Sequence, residues 1–428
     1  MNPVVVAAII LLACLFLKAP VFVSVLAGTM TYFLMSGSSV PQVIFAQRVT
    51  SGTESITLLA VPFFVAAGVF MNYTGVTKRV MDFCGVLTGR MYGGLAQVNV
   101  LLSTLMGGLS GSSLADAAME AKMLVPEMER QGISKEFSSV VTATSAMITP
   151  LIPPGIAMIL YGSIANVSIG KLFIAGIGPG LLLCLAMMLL VSLISRKRGY
   201  MPRRAEALPK GVFLHSLKEA ALPLCLPIII IGGIRLGIFT PTEAGSVAII
   251  YALFLGLVYK EMTWRQFLEG IKETVVTTSS IMLIVGAASS FAWVLTKERI
   301  PQMLTEAIVQ AISNKYLFLM IVNLFLIIVG MFIEGNAAMI VLVPLLAPIA
   351  ATYGINEIQF AMIVIFNMSI GGLSPPMGTL MFVTCGVTKC KIRDFIIEAV
   401  PFYILLVICL LLLTFIPVVS VFFVNLLY

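Results

Sequence analysis

The sequence predicts an all-α polytopic membrane protein, an inverted repeat with two re-entrant hairpins and two broken transmembrane helices. Three observations predict it. First, the 428 residues are 60% hydrophobic and only 11% charged, with a mean hydropathy of +1.08. Soluble domains carry about 25% charged residues, and here apolar runs fill nearly the whole length. Second, four runs rich in glycine, proline and hydroxyl side chains interrupt that apolar sequence, at 107–113, 149–155, 330–336 and 371–378. Irregular backbone at membrane depth is tolerated only where protein buries it or where it lines a polar cavity. Third, short matches recur in the same order in both halves: Ala117-Ala-Met119 with Ala337-Ala-Met339, Leu124-Val-Pro126 with Leu342-Val-Pro344, Pro153-Pro154 with Pro375-Pro376, and Phe173 with Phe395. Shared order is the signature of an internal repeat.

Taken in order, spans are expected at 3–17, 19–36 and 55–76, the last two separated by a polar stretch with Ser38, Ser39, Gln42, Arg48 and Glu54. Residues 77–92 place Lys78, Arg79, Asp82 and Arg90 among apolar positions, the pattern of a helix lying at the interface. The run 93–128 has two arms of about 17 residues, each about 25 Å long against a hydrocarbon core of about 30 Å. A re-entrant hairpin fits better than two spans. A run at 135–165, broken at 150–155, and a span at 172–195 complete this half.

The basic stretch 196–218 reads as a cytoplasmic linker. Spans follow at 220–239, 241–259 and 273–295, with an amphipathic connector at 261–272. Then come an interfacial segment at 298–314, a hairpin at 317–353 with its tip at 334–336, a broken run at 357–388 and a last span at 396–426. The domain reading is scaffold helices at 1–76 and 219–297, interfacial arms at 77–92 and 298–316, and the two halves of a transport unit at 93–195 and 317–428.

A hairpin returns to its own side, so each half crosses the bilayer five times, and an odd number inverts the second half. Loop charge gives an independent reading. With the linker in the cytoplasm, all but Arg48, Lys171, Arg235, Lys297, Arg299 and Lys315 of the 26 lysines and arginines lie on that side. Both termini are then expected in the periplasm. The +7 charge is accounted for by these loops, with no nucleic-acid partner implied. Gly-x-x-x-x-Gly-Lys-[Ser/Thr] is absent, so ATP drive is not expected. The seven cysteines show no CxxC pair, and His215, the only histidine, sits beside the basic linker. No cleavable signal peptide is expected at the start.

Gly107-Gly-Leu-Ser-Gly-Ser-Ser, Leu151-Ile-Pro-Pro-Gly155 and Gly371-Gly-Leu-Ser-Pro-Pro resemble the large membrane subunit of tripartite ATP-independent periplasmic (TRAP) transporters, and the resemblance runs over essentially the full chain. It implies sodium-coupled uptake of an organic acid, C4-dicarboxylate or sialic acid, across the bacterial inner membrane. It also implies an elevator-type fold like that of the ion transporter superfamily, a small four-helix membrane subunit and a periplasmic substrate-binding protein. Because the chain starts directly at a span, the small subunit is expected as a separate polypeptide. The look of 115–129 leans toward the sialic acid branch.

Sodium is a hard cation served by oxygen ligands, which unwound backbone supplies together with helix C-terminal dipoles. One expected sodium site joins Gly108, Ser110 and Ser113, with Ser103 nearby, to Ser145, Thr149 and Pro150. The other joins Gly335 and Asn336 to Asn367, Gly371, Gly372 and Thr379. An anionic substrate is expected between the tips, at Ser112, Ser113, Asp116, Pro154, Gly155, Ser374 and Pro376, facing half-helix N-termini.

Each feature also has a structural reading. Glycines allow close helix packing, a Pro-Pro pair kinks a span, and Asp116 could cap the second hairpin helix. Glu334 is costly at membrane depth unless paired or wet. Packing alone does not require four interruptions at matching places. No organic cofactor and no enzyme activity are expected, because no nucleophile–base pair is present. The alternative is a stand-alone anion or arsenite transporter of the same architecture. Two sites make two or more ions the natural stoichiometry, since each net charge entering down 100 mV supplies about 2.3 kcal/mol.

Overall fold

The computed structural model describes residues 3–17, 19–36, 42–202 and 210–428. Lys18, Ser38, Ser39, Arg203 and Arg204 lie outside the described residues. The architecture is all-α. Six described helices are long and apolar enough to cross a membrane, or up to eight spans if each of two bent pairs counts as one.

The first half opens with α1 (Pro3–Phe16) and α2 (Val21–Met35), packed side by side where Gly28 brings α2 against the Ala7 carbonyl. Next come α3 (Val43–Ser51), α4 (Ala60–Asn72) and α5 (Val76–Thr88). The polar stretch before 55 is thus partly helical: α3 and the helical segment from Ile56 into α4 form a pair bent by 53°. α5 is the amphipathic segment, burying Val76, Val80, Phe83 and Cys84 on one face.

The first hairpin is α6 (Gly94–Ser110) and α7 (Ser113–Arg130), with a break at Gly111 and Ser112 that is tighter than expected. Nearly every residue of α6 is buried. Protein rather than lipid therefore sheathes the hairpin, which is why α7 can carry Asp116 and Glu120 inward. The broken run is α8 (Lys135–Ser145) and α9 (Ile156–Ala165), bent by 43°. The break begins at Ala146 rather than at 150. α10 (Ile169–Arg198) ends this half and runs 30 residues.

In the second half α11 (Lys210–Arg235) starts inside the stretch read as linker, and His215 stands on it, exposed, 3.3 Å from Glu219. α12 (Pro241–Tyr259) packs along α4, where Gly245 admits Phe63 and Phe64. The connector at 261–272 and the span at 273–295 are a single helix, α13 (Trp264–Lys297), of 34 residues. A capping box between Thr263 and Gln266 starts it, and no proline or polar turn stops it where the composition changes. α14 (Ile300–Ala311) is the second amphipathic segment and buries no residue.

α15 (Lys315–Gly330) and α16 (Gly335–Thr352) form the second hairpin, whose irregular tip is 331–334, one turn before the expected 334–336. α17 (Glu357–Leu373) and α18 (Thr379–Thr388) flank the second break. The expected last span is divided: α19 (Ile392–Phe415) stops at Ile416 and Pro417, and α20 (Val418–Leu427) turns back along α10 beside Gly178. One continuous apolar core spans both halves and holds α4, α6, α8–α10, α17 and α19 together.

Candidate functional site

The first hairpin tip rests directly on the first break. Gly111 turns the chain at φ 64°, a left-handed conformation that favours glycine. A Cβ there would lie 2.7 Å from the Pro154 carbonyl, and one on Gly107 would lie 3.0 Å from Thr149 Cα. Ser112 caps α7, its hydroxyl accepting the Ala115 N–H at 3.4 Å. Asp116 is therefore not the cap. Its two carboxylate oxygens accept the hydroxyls of Ser110 at 2.6 Å and Thr149 at 2.7 Å, stapling tip to break.

Deeper in the same half, Ser145 donates to Asn99 at 2.9 Å, and Asn99 donates to Thr142 at 2.6 Å. Ser103 donates to Glu120 at 2.7 Å, while the other carboxylate oxygen of Glu120 is buried without a partner. Sequence reasoning missed Asn99 and Glu120. The i, i+4 spacing of Asp116 and Glu120, which puts both carboxylates on one face of α7, was the available signal.

The second half uses different side chains to do the same work. Glu334 caps α16, accepting the Ala337 N–H at 3.0 Å and the Asn336 amide at 2.9 Å. Gly371 and Gly330 bring break and hairpin into backbone contact, since a Cβ on Gly371 would lie 2.5 Å from Gly330 Cα. Asn367 donates to Asn323 at 2.9 Å, and Asn323 donates to Thr414 at 2.9 Å. The Asn367 carbonyl oxygen is buried and unpartnered. Asn323 was not foreseen, because one amide in an apolar helix has no periodic signature.

Both tips and both breaks meet at one cavity of about 80 Å³. Of the expected site residues, Ser112, Ser113, Pro150, Gly335, Asn336, Gly372 and Thr379 line it. Ser110, Asp116 and Thr149 stand beside it as one hydrogen-bonded group. Ser103, Ser145 and Asn367 belong to the buried networks behind it. Gly108 packs on Pro227, and Gly155 folds back on the Pro150 carbonyl. Ser374 returns its hydroxyl to the Ile370 carbonyl at 2.8 Å and does not line the cavity, nor do Pro154 and Pro376. The Pro153-Pro154 and Pro375-Pro376 peptides are both cis. Glu334, Met368 and Ser369 are lining residues that the sequence did not nominate for the site.

The first turns of α7 and α16 both border the cavity, so two helix N-termini face the same space. Hydroxyl, amide, carboxylate and backbone oxygens surround it, with the buried, unpartnered oxygens of Glu120 and Asn367 behind. The oxygens suit a hard cation, for which the neighbouring thioethers of Met339 and Met368 are poor ligands.

Residues 8–419 match the family model described as the tripartite ATP-independent periplasmic transporter, DctM component. The chain belongs to this family. It is 40% identical over 410 residues to the sialic acid TRAP transporter large permease protein SiaM of Vibrio cholerae, covering 95% of each chain. It is 38% identical over 398 residues to the C4-dicarboxylate TRAP transporter large permease protein DctM of Pseudomonas aeruginosa, covering 92% of each. Among solved structures, the YdaH transporter of Alcanivorax borkumensis superimposes with a TM-score of 0.63 at 14% identity, covering 86% of each chain. At that identity the likeness speaks for the fold alone. This DctM-family chain is thus a multi-pass membrane protein of a bacterial TRAP transporter.

Proposed function

We propose that the chain is the permease subunit of a sodium-coupled importer for an organic acid, of the sialic acid or C4-dicarboxylate class, delivered by a periplasmic binding protein. The convergence of both tips and both breaks on one cavity carries this reading. A cavity of about 80 Å³ suits an ion with a few waters and is too small for a sugar acid. Room for the acid lies one residue along α16. Met339 lines the tip cavity, and Ile340 lines a second cavity of about 250 Å³ against α13, with Ser55, Ser163 and Ser289 on its walls.

Sodium held by carbonyls and hydroxyls at the tips neutralises the acid's charge and fixes the two breaks against their hairpins. Ser110, Asp116 and Thr149 orient the first site, and Glu334 and Asn336 the second. The hairpins and broken helices then move as one body against a scaffold of α1–α4 and α11–α13, linked by α5 and α14. The small membrane subunit completes the scaffold. Two ions per acid make a monovalent substrate's uptake respond to voltage.

The experiment is reconstitution in liposomes with the small membrane subunit and candidate periplasmic binding proteins. Uptake is expected only with a binding protein present and an inward sodium gradient. Equal uptake in choline and in sodium would reject the coupling, and uptake by the chain alone would favour a stand-alone carrier.

A further inference from the structure

At the end of α13 remote from its cap, two cations crowd one indole. The Arg48 guanidinium carbon lies 5.7 Å from the centroid of Trp293, and the Lys297 ammonium lies 5.5 Å from the same point. They are therefore within about 11 Å of each other. Lys297 also stands 5.9 Å from the ring of Tyr32. Trp293 is fixed by Phe33, stacked on it at 5.6 Å, and Phe33 packs edge-on to Phe45 and Tyr32. The corner is thus a rigid aromatic knot joining α2, α3 and α13, with two positive charges on its rim.

Neither charge is neutralised. Among the described residues Arg48 and Lys297 make no ion pair, and their side chains donate no hydrogen bond. The adjacent carboxylate, Glu298, is held by the Tyr32 hydroxyl. Glu54, the carboxylate that follows α3, pairs with neither. Both cations are exposed, and so are Leu34 and Met35 at the end of α2 and Val43 at the start of α3, at 58%, 45% and 65%. α3 buries no residue at all. A soluble anion would satisfy the charges and leave those apolar groups wet. An acidic protein surface would do the same.

We propose that this corner binds the headgroup of an anionic phospholipid. The phosphate sits against Arg48 and Lys297, Trp293 stands at the headgroup level, and the acyl chains lie along the exposed apolar residues of α2 and α3. α2 ends at Met35, α3 begins at Val43 and α13 ends at Lys297, as helices do where they leave the hydrocarbon layer for the headgroups.

The test is native mass spectrometry of the full-length protein, with its membrane partner where the two co-purify, from micelles mixing phosphatidylglycerol and phosphatidylcholine. The native protein is expected to retain phosphatidylglycerol in preference by roughly tenfold. Arg48→Gln with Lys297→Gln should bring that preference close to parity, whereas Arg48→Lys with Lys297→Arg should keep it. In parallel, phosphatidylglycerol should raise the thermal unfolding midpoint of the native protein and not of the double glutamine variant. An undiminished preference in that variant overturns the proposal. So does an equal stabilisation by inorganic phosphate, which would make this a site for any free anion. Unchanged lipid retention with lost capture of a periplasmic protein would assign the corner to a protein partner instead.

Discussion

Asp116 stands one turn into a helix whose cap is another residue, and both its carboxylate oxygens are filled by hydroxyls from two different segments. Replacing it with alanine would leave Ser110 and Thr149 buried without their acceptor, at about 1–3 kcal/mol for each orphaned group. Asp116→Ala is therefore expected to lower the thermal unfolding midpoint and to raise the sodium concentration giving half-maximal uptake. Asn336→Leu should act differently. Its side chain lines the cavity and bonds only to Glu334, so the protein should still be produced and inserted while sodium-dependent uptake is lost. Normal uptake by Asn336→Leu would remove that residue from the site. At this scale the sequence showed the hydroxyl and glycine positions, because helix breakers inside an apolar run are conspicuous. It hid Asn99 and Asn323, whose roles come from partners 43 or more residues away, while Glu120 was marked only by its spacing from Asp116.

Helices set the distances between these residues, and two neighbouring glycines show how closely. A Cβ on Gly371 would meet the Gly330 backbone at 2.5 Å, whereas one on Gly372 would meet only the Thr379 hydroxyl at 3.6 Å. Gly371→Ala is expected to force α17 from α15 and cost about 1–3 kcal/mol. Gly372→Ala should fold as the native protein does. Thermal unfolding of the two variants side by side checks this, and equal midpoints would contradict it. The hairpins and both broken runs were legible in the sequence because their breaks carry glycine and proline. Three boundaries were not. α3 is helical within a stretch that reads as polar, since helix formation does not need an apolar face on every turn. α13 extends beyond its apolar part because Thr263 and Gln266 cap it and Gly270 lets it pack on Phe70. α20 separates from α19 at a proline that composition alone does not distinguish from a kink.

At the scale of the molecule, the first tip leans on α4. A Cβ on Gly68 of α4 would lie 2.7 Å from the Ser110 carbonyl oxygen. Away from the site, a Cβ on Gly170 of α10 would lie 2.9 Å from the Ile234 side chain of α11. If α10 moves with the hairpins past α11, a cross-link between cysteines placed at 170 and 234 should stop uptake, and reduction should restore it. Full uptake by the cross-linked protein would contradict the moving-body reading. We propose that the halves are inverted, from the odd number of crossings expected for each and from loop charge, and that sodium affects both tips together. Hydrogen–deuterium exchange in the reconstituted protein, with sodium and with choline, is the most direct test. The account predicts that sodium protects 107–116, 146–155, 331–337 and 371–379 in concert and leaves α1 and α2 unchanged. Exchange that is indifferent to sodium in those four segments would contradict it.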